Sequence, residues 1–173
     1  MPTLAQTLQT TTPVSSLLRK ARRMGLCGHG DFIALAVERG CIHYQGAGGR
    51  DGRPRGAGLG NDELTILLLV GENSYEPVAI RCAAQLARSP DIRPDRLVRL
   101  AVMEKCERVL DHIARAGAAH DPAGAGFWKE ILRLLPDQSP RAEPALPHWS
   151  RFVSMPGIQR HGPVPATWLA PLP

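Results

Sequence analysis

Apolar residues recur through most of the first 135 positions at steps of three and four, the spacing that stacks side chains on one face of an α-helix. The longest such run lies between Pro94 and Ala116. Val98, Val102, Cys106, Val109, Leu110 and Ile113 share one face, while Lys105, Arg108, His112 and Arg115 fall opposite, among Glu104, Glu107 and Asp111. Pro94 suits a first helical position and Gly117 a left-handed stop. Leu97, Leu100 and Ala101 point away from the shared face, so the early turns should be enclosed and the later ones lie along a surface. The pattern predicts the central helix of a small bundle.

Shorter segments repeat the theme. Thr12-Pro13 reads as a helix start, followed by the stripe Val14, Leu17, Leu18, Ala21 and a stop at Gly25. Asp31 is placed to cap a second helix running through Arg39, with Gly40 as its end. Asn61 is placed to cap a third, Asp62 to Val70, whose acidic first turn suits the positive end of the helix dipole. A fourth opens near Pro77 and closes near Arg88, with a face of Ala79, Cys82, Ala83, Leu86 and Ala87 small enough to let a neighbour approach closely. Phe127 to Leu135 makes the last. Two stretches lack any periodicity. Gly46 to Gly60 is nearly all Gly, Arg and Asp and predicts a mobile loop. From Pro136 onward, prolines exclude helix and central strand, yet Trp149, Phe152, Val153, Met155, Ile158, Trp168 and Leu169 call for cover. The expectation is an all-α bundle of about five to six helices spanning residues 1–135, with residues 136–173 as an extended Pro/aromatic arm.

Composition changes this picture little. The chain has 173 residues, enough to bury a core without disulfide or metal staples, and its aromatics are scarce at 5%, so Leu, Ile, Val and Ala must fill that core. No apolar run approaches the length of a membrane span, and the N-terminus has no signal-peptide core. The four scattered cysteines do not form a secreted disulfide framework. These features predict a cytoplasmic, bacterial protein with reduced thiols. A net charge of +5 favours an acidic partner, and Arg supplies nearly all of the excess.

Five patterns carry candidate chemistry. Arg19, Lys20, Arg22 and Arg23 form a ridge opposite the first apolar stripe, suited to phosphates. The segments 61–70 and 76–88 resemble a helix-turn-helix in spacing, with Arg81, Gln85 and Arg88 predicted on one exposed face; Arg and Gln are the side chains that read guanine and adenine edges. Arg50, Arg53 and Arg55 add a basic element within the Gly-rich loop. Cys27, His29, Cys41 and His43 give two Cys-x-His pairs with zinc-type ligands, but the intervening helix holds the pairs apart, so no metal or cofactor is expected. The arm offers Trp149, Phe152 and Trp168 for docking to a protein partner or for clasping the bundle. No phosphate loop, nucleophile elbow or zincin motif is present, and the Asp111-His112 and His120-Asp121 neighbours point different ways on a helix. The leading expectation is a non-enzymatic accessory or regulatory protein that contacts nucleic acid. A protein-interaction module is the alternative and a metal-dependent enzyme the third reading.

Overall fold

The computed structural model describes residues 15–42, 56–70, 76–136 and 168–173. They form an all-α bundle: α1 (Ser16–Arg23), α2 (His29–Glu38), α3 (Asn61–Leu67), α4 (Pro77–Leu86), α5 (Pro94–Met103), α6 (Glu107–His120), a 3-10 turn at Pro122–Gly124 and α7 (Ala125–Leu134). There is no strand among the described residues. The ends obey local chemistry. Ser15 Oγ accepts the Leu18 N–H at 3.1 Å and starts α1, in place of the predicted Thr12-Pro13 start, which lies outside the described residues. Asp31 does not occupy the cap of α2; it sits in the first turn and accepts the Cys27 N–H at 2.8 Å. Asn61 likewise lies inside α3, where Glu63 reaches back to the Gly60 N–H at 3.0 Å. Pro77 and Pro94 open α4 and α5 as their missing N–H groups allow.

The centre of the body is α3 and its continuation, not the Pro94–Ala116 stretch. Leu64 and Ile66 to Leu69 are completely enclosed, since α3 has α4 and α5 against it and α1 and α2 at its edges. α7 packs across α6 and α5. The predicted long helix is broken into α5 and α6 at Glu104–Cys106. There Lys105 adopts φ 58°, and the Cys106 N–H returns to the Ala101 carbonyl at 2.9 Å, closing α5 with a left-handed cap. The break has a cause in the sequence. Leu97 and Ala101 face one side and Val109, Leu110 and Ile113 another, and one straight helix cannot bury both sets. A non-glycine residue in this conformation costs about 1–2 kcal/mol. Lys105→Gly is therefore expected to raise stability by about 1 kcal/mol in chemical denaturation, although glycine is normally destabilising inside helical sequence.

The described end of the C-terminal arm packs on its own body. Trp168 is only 7% exposed. Its ring meets that of Trp128 at 5.2 Å and 64°, and its Nε1–H donates to the Ala84 carbonyl at 3.3 Å. Beyond it, Gln85 Nε2 donates to the Ala170 carbonyl at 3.1 Å and the Leu172 N–H donates to the Gly40 carbonyl at 3.0 Å. Trp168 thus packs on the body of its own chain. Trp149 and Phe152 lie outside the described residues.

Candidate nucleic-acid interface

α1 is built as a basic ridge on an apolar keel. Leu17 and Ala21 are buried against the body, and helical geometry sends Arg19, Arg22 and Arg23 to the opposite side, where all three are exposed. The helix is held in place by its flank. Ser16 Oγ and the Leu17 N–H both donate to Glu104 Oε1, at 2.8 and 3.2 Å, and one turn later Lys20 Nζ donates to both oxygens of Glu63 at 2.7 Å. Lys20 is therefore engaged as a tether between α1 and α3, unlike the three arginines around it. Asp62, beside Glu63, pairs with Arg96 of α5. The start of α1 thus meets the end of α5, and its middle meets the acids that face the start of α5, so the two helices run in opposite directions. Arg96 and Arg99 stand one turn apart on exposed positions of α5, Arg96 being the partner of Asp62.

The other arginines serve the fold. Arg39 donates to Asn61 Oδ1 at 2.9 Å and to the Gly56 and Leu59 carbonyls at 3.1 and 2.8 Å, pinning the approach to α3; burial lowers its pKa. Arg93, Arg115 and Arg133 pair with Asp95, Asp111 and Glu130. Among the described residues, no carboxylate pairs with Arg19, Arg22, Arg23 or Arg99. Basic residues in the last turn of α1 also suit the negative end of its dipole, by about 0.3–1 kcal/mol.

Burial of Glu63 opposes its ionisation, but the Lys20 hydrogen bond and the Gly60 N–H outweigh it and hold the carboxyl below its ordinary 4.5. A depressed folded-state value contributes stability above the unfolded pKa that is lost as pH falls through the folded one. The α1–α3 tether should therefore weaken below about pH 4. Glu63→Gln is expected to lose part of the acid-sensitive slope of the melting temperature, read by circular dichroism from neutral pH downward.

The predicted base-reading trio is taken apart. Seven of the ten residues of α4 are buried, which leaves no face to lie in a major groove. Gln85 is 1% exposed and bridges two segments: its Oε1 accepts the Ile42 N–H at 3.0 Å while its Nε2 serves Ala170. Arg88 Nε pairs with Asp121 at 2.7 Å and its guanidinium lies 5.9 Å from the Phe127 ring centre. Arg81 remains half-buried. The face expected to be solvated is covered by α2 and by the C-terminal residues, neither of which the local periodicity of α4 reveals. The segment joining α3 to α4, residues 71–75, lies outside the described residues, as do Arg50, Arg53 and Arg55.

The zinc-type residues have other partners. Cys41 is buried, with its Sγ 3.6 Å from the Cys82 carbonyl. His29 Nε2 is 3.1 Å from the Val70 carbonyl, and its Nδ1 stands 3.8 Å from Glu76. Among the described residues no three His, Cys, Asp or Glu side chains gather as metal ligands, and His43 lies outside them. Burial pushes the thiols of Cys41 and Cys82 up to about 12 and about 11, and raises that of Cys106 further. Cys27 alone of the four is exposed. A thiol reagent at mildly alkaline pH is expected to modify one cysteine rapidly in the folded protein, lost in Cys27→Ser, and all four in denaturant. Asp111 and Asp121, expected to point away from the histidines beside them, are engaged by Arg115 and Arg88.

No protein-family model matches the chain, and no curated protein or solved structure is significantly similar to it. No helix among the described residues is long and apolar enough to cross a membrane.

Proposed function

We propose that this chain is a non-enzymatic, cytoplasmic bacterial accessory protein that binds nucleic acid along its sugar-phosphate backbone, with α1 as the contact element. The observation that carries this reading is the segregation of its arginines. Arg39, Arg88, Arg93, Arg96, Arg115 and Arg133 are absorbed by acids or carbonyls, whereas Arg19, Arg22 and Arg23 stand together on one exposed face with no carboxylate among the described residues. An arginine cluster left unneutralised on a well-anchored helix is the arrangement that releases counterions from phosphates, and a guanidinium binds a phosphate bidentately. Arg99, exposed on α5 and with no carboxylate among the described residues, adds to the contact. Gln85 and Arg88 take no part, so binding is sequence-independent.

Fluorescence anisotropy against a labelled duplex at low salt tests the reading. Affinity should fall with salt at a slope of about −0.9 per phosphate engaged. The triple replacement of Arg19, Arg22 and Arg23 by alanine removes no buried side chain and only the small dipole contribution of the last turn, so it should lower the melting temperature little and flatten that slope by about two to three. Absence of binding at low salt, or binding that the triple variant leaves intact, refutes the proposal.

A further inference from the structure

The body presents a groove for an extended peptide, and the C-terminal residues of the chain lie in it. Its floor is Trp128 of α7, one wall is Ala84 and Gln85 of α4, and the other is the segment Gly40–Ile42 that follows α2. Recognition is of two kinds. A single aromatic, Trp168, is enclosed against Trp128 and donates to the Ala84 carbonyl at 3.3 Å. After it the contacts are to main chain: Gln85 Nε2 to the Ala170 carbonyl at 3.1 Å, and the Leu172 N–H to the Gly40 carbonyl at 3.0 Å. The side chain of Leu172 is 57% exposed, so it is the backbone there that is held. One enclosed aromatic and a few main-chain hydrogen bonds are together the means by which domains hold extended peptides.

The groove is shaped for close backbone approach. Gly40, at φ +95°, has no Cβ, and one built there would stand 2.1 Å from the Leu172 carbonyl oxygen. Gln85 is enclosed, and its amide is aligned by the Ile42 N–H on one side so that its NH₂ faces the peptide on the other. The same Nε2 lies 3.5 Å from the Gly40 carbonyl of the body, so the peptide's Ala170 carbonyl is its shorter acceptor, and the buried amide recognises the segment through that bond.

We propose that this groove is a peptide-binding site that accepts the C-terminal Trp168–Pro173 segment of a second copy of the chain as well as its own. The segment carries its recognition in one side chain and its backbone, and a second copy offers the same chemistry. Residues 137–167 join it to the residues that follow α7, and a chain of that length, fully extended, would span at most on the order of 100 Å. In one chain the tethered segment competes at an effective concentration in the millimolar range, so the isolated wild type closes on itself and exchange shows when closure is disabled. The inference is independent of the arginine ridge.

The test pairs two full-length variants. Trp168→Ala keeps the groove and disarms the segment; Gly40→Ala keeps the segment and blocks the groove. Each alone should be monomeric by sedimentation, and the mixture should form a one-to-one heterodimer. A labelled peptide of residues 167–173 should bind the W168A chain, bind wild type on the order of a hundredfold more weakly because its own segment competes, and bind a W168A chain that also carries Gln85→Leu on the order of tenfold more weakly than W168A alone. Leu172→Pro, which removes the main-chain donor at an exposed position, serves in place of W168A if that chain does not fold. No heterodimer and no peptide binding with folded partners overturns the proposal. So does failure of both tail variants to fold, since the segment would then be an obligate part of the core.

Discussion

Replacing Asp121 by alanine is expected to cost about 3–5 kcal/mol, a large part of the 5–15 kcal/mol by which a domain of this kind is stable. Asp121 is 4% exposed and holds three donors: Arg88 Nε at 2.7 Å, Trp128 Nε1 at 2.7 Å and the Gly124 N–H at 3.0 Å. These come from the end of α4, the body of α7 and the turn between α6 and α7, so one carboxylate ties three elements. Its removal leaves the Arg88 guanidinium, 21% exposed, without its counter-charge, and the enclosed indole N–H without an acceptor. Breaking a buried pair from one side is costly because the surviving charge is still desolvated, whereas the net worth of the intact pair is far smaller. Asp121→Asn keeps one acceptor oxygen and should lose about half as much. Urea denaturation of the two variants decides the matter: the midpoint should fall with little change in slope. A D121A chain within about 1 kcal/mol of wild type would show that the network contributes shape and not stability.

That network marks where sequence reading stopped. Periodicity located the helical segments of the described residues, though it read α5 and α6 as one, because burial of one face is a local pattern, and the apolar run Ile66–Val70 already carried the mark of an enclosed segment. The break at Lys105 was signalled too, by the change of apolar face between Ala101 and Val109, though no glycine or proline announced it. Asp121 gave no such sign. It stood beside His120, while its partners lie 7 positions ahead and 33 behind, and only the packing of α7 across the end of α4 brings them together. Gln85 was misplaced for the same reason. Gln85 looked solvated because α4 alone cannot show that residues 40–42 and the end of the chain cover it. The ridge on α1 was legible because it is helical geometry alone. Its tether through Lys20 and Glu63 was not, since those residues are 43 positions apart.

Trp128→Ala is expected to cost about 3–5 kcal/mol through the lost transfer and the cavity left under α6, and it should also reverse the sign of a second substitution. Gly117 was read as a helix stop, yet α6 continues through it to His120. An interior helical glycine ordinarily costs about 1 kcal/mol relative to alanine, so Gly117→Ala should stabilise on propensity alone. Here the added Cβ would stand 2.5 Å from three atoms of the Trp128 indole, which is itself fixed by Asp121 and wedged against Trp168. Overpacking of that kind costs about 1–3 kcal/mol and outweighs the propensity gain, so Gly117→Ala alone is destabilising. With Trp128 already alanine the clash is gone, and the same change should gain up to about 1 kcal/mol. The two substitutions therefore form a double-mutant cycle with a coupling of about 2–3 kcal/mol. Equal effects of Gly117→Ala in both backgrounds, measured by urea denaturation, would mean that the glycine serves the backbone and not the indole. The predicted reversal assigns it to the approach of α7, the contact on which the Asp121 network and the seat of Trp168 both depend.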